Sequence, residues 1–251
     1  MPADRHYPHA PITEALIDLR VRYSDSISLE RLKEFGAGIR DLYPHSGTRD
    51  VVEAEFQAEA GARSTRASSS RKTVGYIFHT ADKRQAVQAR LDGFTFSRFM
   101  PYENWANLRS EAYRLWNVFV DVTKPIEVQR VAVRYINQLN LPLPPGGLQF
   151  EDYLRTHPVI GPEAGQELEQ FFVRLMLPQR DLMAHLVLTE ALLPPQNPET
   201  VGLILDIDLF RDAIAFDVRS KEIWDILDMF RTRKNLYFEA SITDAARELF
   251  T

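Results

Sequence analysis

Two arginines, Arg130 and Arg134, stand in a run of residues whose polar and apolar positions alternate. The run extends from Val128 to Leu139, and its period of two residues is typical of a β-strand. In such a strand both arginines point to one face with Gln138, while the apolar residues between them point to the other face. A guanidinium group binds a carboxylate or a phosphate through two parallel hydrogen bonds. The run therefore predicts a strand with one side in the core and one side able to bind an anion.

A second set of charged residues lies near the start of the chain, where residues 10–23 also alternate. Arg20 and Arg22 share the polar face of this predicted strand with two acids, Glu14 and Asp18. If this strand lies beside the central one, their arginines and acids form one charged sheet face. Opposite charges on neighbouring strands can then pair, or can bind a ligand between them.

Two aspartates, Asp206 and Asp208, share one face of a later predicted strand at 201–210. Such a pair can hold a divalent cation or work as an acid and a base. The predicted ligand-binding residues are Arg20, Arg22, Arg130, Arg134, Asp206 and Asp208. The alternative is that these arginines and acids pair only with one another, and the pattern favours this alternative because any half-buried strand shows polar residues on one face. We predict no catalytic residue, no bound metal and no cofactor.

A basic, serine-rich segment covers residues 61–72. It is predicted as a flexible loop between two strands, and its cationic side chains can bind nucleic-acid phosphates whatever the base sequence. These candidate residues are Arg63, Arg66, Arg71 and Lys72. A solvated hairpin tip is the better interpretation, because no aromatic residues alternate with the charges to stack on bases. We therefore do not expect nucleic acid as a partner.

Several classes of chemistry are disfavoured by residues that the sequence lacks. The chain has no cysteine, which excludes disulfides, thiolate nucleophiles and iron–sulfur clusters. Its histidines do not have the close spacing of a zinc site, and His185, in a strand-like run, is predicted to be structural. Glycine-rich nucleotide motifs and the serine-hydrolase motif are absent as well. The tryptophans recur with apolar residues at helical spacing, which predicts a place in the core for Trp105, Trp116 and Trp224.

Composition predicts a globular protein of the cytoplasm. The chain has 251 residues, of which 45% are hydrophobic, and a formal net charge of −5. No stretch approaches the roughly 18 apolar residues of a membrane helix, and the first residues do not resemble a secretion signal. We therefore expect a cytoplasmic location and no membrane partner.

The elements that must position these residues form an α+β pattern with consecutive strands and short turns, which favours antiparallel curved sheets packed against long amphipathic helices. Helices are predicted from Ser28 to Pro44, from Pro101 to about Val122, near 149–156, from Ser220 and after Thr243. Strands are predicted at 10–23, 51–60, 73–80, 84–92, 93–99, 126–140, 168–178, 182–192 and 201–210. A loop rich in proline and glycine, 141–147, suggests a boundary between an N-terminal half, 1–140, and a C-terminal half, 149–251, packed as one compact unit and possessing similar architecture.

Three segments carry a resemblance to a known family. They are the opening Pro11-Ile12-Thr13-Glu14-Ala15, the central Arg134-Tyr135-Ile136-Asn137, and Phe238-Glu239-Ala240-Ser241-Ile242-Thr243 near the end. Together they resemble a sporadically distributed family of bacterial proteins of about this length that has no assigned function. The resemblance implies a bacterial protein with a shared fold, and it implies no reaction and no substrate.

These observations favour a non-enzymatic binding or interaction protein, with a protein partner or a second copy of the chain as its candidate partners. An enzyme that acts on a phosphorylated or carboxylated small molecule through the arginine and aspartate face is the alternative. Nucleic-acid binding through residues 61–72 is a further alternative.

Overall fold

The computed structural model describes residues 5, 7–57, 66–144, 147–161, 163, 168–194, 197 and 199–251, with the side chains of 53–57 and 66–70 excepted. The N-terminal elements are β1 (Ile12–Arg22), α1 (Leu29–Gly38), β2 (His45–Gln57), β3 (Arg66–His79), β4 (Gln85–Arg90), β5 (Gly93–Phe99) and α2 (Trp105–Thr123). The remaining ones are β6 (Glu127–Pro142), β7 (Phe172–Gln179), β8 (Ala184–Leu192), β9 (Thr200–Arg211), α3 (Lys221–Ser241) and α4 (Asp244–Glu248).

The strands form a nine-stranded antiparallel sheet in the order β2-β3-β4-β5-β1-β6-β9-β8-β7. Its centre is the pair β1 and β6, which brings the two arginine-bearing strands together. In their register Arg20 lies opposite Arg130, and Leu16 lies opposite Arg134. On the other side of β6, Arg134 lies opposite Asp208 of β9. The predicted α+β class with antiparallel sheet is therefore confirmed.

The helices pack against the sheet through a core made of alternate strand residues. Helix α1 contacts β3 and β4, α2 contacts β5 and β1, and α3 contacts β6 and β9. Fully buried strand residues such as Ile17, Val133 and Ile207 belong to the same core as Trp116 of α2 and Phe230 of α3. The alternation read from the sequence thus separates a helix-covered face of the sheet from an opposite face that carries the arginines.

Polar side chains begin each of these helices. Ser28, Asn104, Ser220 and Thr243 stand at the N-caps of α1, α2, α3 and α4, and each accepts a hydrogen bond from a backbone N–H in the first turn. Such a bond satisfies one of the amide groups that have no partner inside the helix. The predicted starts at Ser28, Ser220 and Thr243 are confirmed.

Some local predictions were wrong, and the helix predicted from Pro101 begins only at Trp105. Residues 66–72, predicted as part of a loop, belong to β3, and their backbones pair with β2 from Val51 to Gln57. A polar hairpin of this kind shows no apolar alternation, so the pattern that identifies a half-buried strand is missing. The helix predicted near 149–156 is a single 3₁₀ turn at Phe150–Asp152. No helix within the described ranges is both long enough and apolar enough to cross a membrane.

Candidate functional site

The structure brings most of the predicted ligand-binding residues onto one face of the sheet. Arg20, Arg130 and Arg134 lie on the neighbouring strands β1 and β6, and Asp206 and Asp208 lie on β9 beside them. We call this surface the arginine face. Arg22 lies at the end of β1 and is exposed, where Nε and Nη2 donate to the carboxylate of Glu127 at 2.8 and 2.9 Å.

Asp18 is the centre of the arginine face. This carboxylate is only 5% exposed and accepts hydrogen bonds from Arg90 Nη2 at 2.7 Å, Arg130 Nη1 at 3.0 Å and Arg20 Nε at 3.1 Å. Burial is the largest single influence and acts to raise the pKa of Asp18, but the charges of Arg90 and Arg20 together with hydrogen bonds from Thr95 and Arg90 outweigh it, so the pKa lies below its usual value. Three guanidinium groups therefore donate hydrogen bonds to one buried carboxylate of the same protein.

The turn between β4 and β5 completes this network. Asp92 accepts hydrogen bonds from Arg20 and from Arg90 Nε. Its neighbour Gly93 lies so close to β1 that a Cβ atom would stand 2.2 Å from the carbonyl oxygen of Leu19. Only glycine permits this approach, which holds Asp92 against the two arginines.

Arg134 is also engaged within the arginine face. Its Nε and Nη2 donate to the two oxygens of Asp206 at 2.9 and 2.6 Å, a bidentate pair. Asp208 lies farther from its arginine than Asp206 does, since its Oδ2 is 3.8 Å from Arg130 Nη2. Burial raises the pKa of Asp208 to about 6, against the lowering effect of Arg130 and Arg134. The arginines of this face are thus already paired with carboxylates of the protein.

Aromatic residues cover one end of the arginine face. The guanidinium group of Arg130 lies 4.6 Å from the ring centroid of Phe210, and the ring of His185 stacks on Phe210 with 5.6 Å between centroids. His185 therefore has the packing contact that its predicted structural role requires.

A second site lies on the helix-covered side of the sheet. It is a cavity of about 690 Å³ between the N-terminal segment, the start of α2, strand β6 and helix α3. This volume is within the range of about 300–1,000 Å³ that is typical of small-molecule sites. The residues that line it come from segments far apart in sequence, chiefly 7–12, 102–105, 135–137 and 229–239.

Aromatic side chains make a large part of the cavity wall. Tyr102 and Tyr135 pack edge to face with 5.6 Å between ring centroids, and their hydroxyl oxygens lie 3.0 Å apart. Trp105 is fixed by a hydrogen bond from Nε1 to Asp228 Oδ1 at 2.7 Å, which ties the first turn of α2 to α3. Arg109 strengthens this connection with an ion pair to Asp228 at 3.0 Å. Trp105 was predicted to lie in the core, and it lines the cavity while it packs against that core.

The N-terminal segment closes one side of the cavity. Tyr7 donates a hydrogen bond to Glu239 Oε1 at 2.7 Å, and its ring packs edge to face on Phe238 and Phe250. The backbone N–H of His9 donates to the carbonyl oxygen of Phe250 at 3.1 Å. These contacts hold the N-terminal segment against Phe250 and place the rings of Tyr7 and Phe238 along this side of the cavity.

Lys234 is the charged residue that lies deepest in this cavity wall. It is 7% exposed, and its Nζ atom lies 3.9 Å from the ring centroid of Tyr135. A cation over an aromatic face at this distance is attracted by the ring quadrupole. Asn137, which is 1% exposed, lies near it in β6 and donates a hydrogen bond from its side chain to Leu205 O at 2.8 Å.

The sequence analysis did not identify Lys234, Tyr102, Asn137 or Tyr7 as site residues. One signal for Lys234 was present, because it interrupts an apolar stripe at helical spacing. The stripe runs through Ile223, Leu227, Phe230 and Phe238, all of them buried in α3. A lysine on the buried stripe of a helix needs a polar partner or a cavity, and the sequence alone does not show which.

The basic segment lies partly outside the described residues. Arg63 is not described, and of Arg66 only the backbone in β3 is described. Arg71 and Lys72 are exposed on β3, and Arg71 Nε lies 3.7 Å from Asp50 Oδ2. Among the described residues, no group of three or more histidines and acids is arranged to hold a metal ion.

No protein-family model and no curated protein matches this chain. Its function must therefore be inferred from the geometry of the two sites.

Proposed function

We propose that this chain is a non-enzymatic binding protein whose ligand is a small organic molecule held in the cavity between β6 and α3. The cavity itself is the observation that carries the proposal. It has the volume of a small-molecule site, and its wall combines aromatic and other apolar side chains with polar and charged ones.

The contacts of the acidic residues in the cavity support binding rather than acid–base chemistry. Glu103 is bound by Arg98 and by Asn107 Nδ2, and Glu239 is bound by Tyr7 and by Arg247 Nε at 2.9 Å. Both carboxylates are thus engaged by hydrogen bonds from side chains of the protein. These two side chains therefore serve to fix the cavity wall.

The arginine face supports the same conclusion from the other side of the sheet. Its guanidinium groups are bound to Asp18, Asp92 and Asp206, so binding of a phosphate or a carboxylate there would cost the protein its own ion pairs. We propose that this face acts chiefly as a structural network.

The proposal is tested with N-phenyl-1-naphthylamine, a neutral dye whose fluorescence rises in an apolar cavity. Purified protein is titrated with the dye, and we expect saturable binding. Thr232 is exposed at the cavity wall, so the substitution Thr232→Trp is expected to fill part of the cavity and to weaken dye binding. Ala240→Trp, which adds an indole to an exposed position of α3 outside the lining, is the matched control. Absence of saturable binding, or equal binding by both variants and the wild type, would contradict the proposal.

We also propose that the sheet consists of two similar halves. Within 1–140, strand β1 is followed by α1 and a meander whose last strand, β5, returns beside β1, and α2 follows. Within 149–251 and the preceding β6, a meander ends in β9 beside β6, and α3 follows. The same order of elements in both halves supports an ancestral duplication.

The absence of cysteine supports a cytoplasmic location, which cell fractionation can check.

A further inference from the structure

We propose that strand β7 is a dimerisation edge, at which two copies of the chain join their sheets by antiparallel pairing of β7 with β7. This inference does not depend on the proposed function. It is supported by the open hydrogen-bonding edge of β7, by the exposed apolar side chains of that edge, and by the fit of the strand to a second copy of itself.

Strand β7 is the last strand at one end of the sheet, and within the described part of the chain its backbone pairs with β8 alone. The N–H of Leu192 in β8 donates to the carbonyl oxygen of Phe171, so every second residue after Phe171 also directs its backbone groups towards β8. Phe172, Arg174 and Met176 therefore direct theirs outwards. Their amide and carbonyl groups form a row with which another extended strand can pair.

The side chains of this edge are largely apolar and exposed. Phe172 is 67% exposed and Met176 is 55% exposed, and Arg174 is the one charged residue of β7. A long apolar edge is suited to strand pairing, whereas edges that stay unpaired usually carry charges. The opposite edge of the sheet, β2, has charged residues at Arg49, Asp50, Glu53 and Glu55. This contrast favours β7 over β2 as the interface.

A second copy of β7 fits this edge when the two-fold axis passes through Leu175. Outward-directed backbone groups then meet one another, so that Arg174 lies opposite the partner's Met176, and Phe172 lies opposite the partner's Pro178. Each Arg174 pair makes two hydrogen bonds, and each Pro178 pair makes one, because proline has no N–H. An isologous contact of this kind closes after two copies.

The neighbouring registers are less favourable. An axis through Arg174 would set this residue directly opposite the partner's Arg174, and like charges at opposed positions destabilise a sheet. An axis through Met176 would set Arg174 opposite the partner's Pro178, which leaves one pair with two hydrogen bonds. Charge and hydrogen bonding therefore select the register with its axis at Leu175.

The same register extends the apolar surface on the core side of the sheet. Leu175 lies opposite the partner's Leu175, and Val173 lies opposite the partner's Leu177, all of them at least partly exposed in the single chain. An edge of eight residues is smaller than the roughly 20–30 residues on each side of a standard interface. We therefore expect a weak dimer, with a dissociation constant of about 1 to 100 μM.

The first test uses single cysteines, because the chain has none of its own. Leu175→Cys places two thiols across the two-fold axis, where the Cα atoms of a non-hydrogen-bonded pair lie about 4.5 Å apart, a distance that a disulfide can span. The matched control is Val52→Cys, at an exposed position of β2. Under mild oxidation at equal concentration, we expect Leu175→Cys to form the intermolecular disulfide about tenfold faster than the control.

The second test is analytical ultracentrifugation of the purified protein from about 1 to 200 μM. We expect the wild type to shift from monomer to dimer as its concentration rises. Met176→Arg sets a second cation opposite the partner's Arg174, and the symmetry repeats this contact, so the dissociation constant should rise about tenfold. Val52→Arg adds the same charge at the β2 edge and should dimerise as the wild type does.

Three outcomes would overturn the proposal. The first is a wild type that stays monomeric over the whole concentration range. The second is an assembly that keeps growing beyond the dimer, because it indicates a head-to-tail contact that does not close, such as β7 on the β2 edge of the next copy. The third is equal cross-linking of Leu175→Cys and Val52→Cys in a protein that dimerises, which would place the interface on another surface.

Discussion

A buried acid in strand β8 provides a sharp test of the fold and of its electrostatics. Glu190 is 1% exposed and lies opposite Leu205 of β9, a fully buried core residue. Neither of its carboxyl oxygens has a hydrogen-bond partner within the described part of the chain. Burial therefore raises the pKa of Glu190 from 4.5 to about 7. The ionised form of this residue is costly in the folded protein.

The size and sign of this cost follow from linkage. A rise in pKa from 4.5 to about 7 corresponds to about 3 kcal/mol, at about 1.4 kcal/mol for each pKa unit. Below pH 4.5 the carboxyl group is protonated in both the folded and the unfolded protein, so it costs nothing. Between pH 4.5 and 7 the unfolded chain releases the proton first, and the free energy of unfolding falls as pH rises. Above pH 7 the loss reaches its full value.

The assay is urea unfolding of the wild type and of Glu190→Gln between pH 5 and 8.5. We expect the wild type to lose about 2 to 3 kcal/mol more than the variant over this range, because glutamine has the same shape and does not ionise. Glutamine also leaves a buried polar group without a partner, so the two proteins are compared by the slopes of stability against pH. Glu248→Gln makes the same chemical change at an exposed position of α4 and should leave the slope unchanged. Parallel curves for the wild type and Glu190→Gln would refute the reasoning.

Other contacts give further predictions. Asp18→Asn removes the charge shared by Arg20, Arg90 and Arg130, and should lower the free energy of unfolding by about 3 to 5 kcal/mol in urea titrations at pH 7. Because the pKa of Asp18 is lowered in the folded protein, its ionisation adds stability that is fully present above pH 3.8 and is lost in the wild type as pH falls through the lowered pKa. Gly93→Ala should lower the melting temperature sharply, since its Cβ would collide with Leu19 O, whereas Gly38→Ala, whose Cβ meets nothing closer than 3.8 Å, should not. Trp105→Phe removes the hydrogen bond to Asp228 and should cost about 1 to 3 kcal/mol in the same titrations, together with weaker dye binding.

The sheet strands and helix starts were predictable where one side of an element is buried and the other is not. Strand β6 shows this clearly. Its apolar residues Val131, Val133 and Tyr135 are buried, whereas Arg130 and Arg134 at the alternate positions are only partly buried. The β2-β3 hairpin was predicted too short because its residues 66–72 are mostly polar on both faces. Local pairing of backbones forms that hairpin without a hydrophobic pattern, and a sequence pattern cannot report it.

The arginine face was predictable as a set of residues, because alternation assigns each side chain to a face. Its internal pairing was not, because the choice between a ligand and Asp18 depends on which strands are neighbours. The cavity was beyond prediction for a different reason. Tyr7, Tyr102, Tyr135 and Lys234 are separated by long stretches of chain. They come together only where the N-terminal segment, the β5–α2 loop, β6 and α3 meet.

One strand register of β6 determines what lies on both faces of the central strands. A shift of β6 by one residue against β1 would turn Arg130 and Arg134 away from Asp18 and Asp206, so their ion pairs penalise every wrong register. The same register places Tyr135 on the opposite side, beneath Lys234. We therefore expect substitutions in the arginine face to change stability, and substitutions in the cavity wall such as Thr232→Trp to change ligand affinity. On this argument the ion pairs of the arginine face fix the strand register that also shapes the proposed cavity.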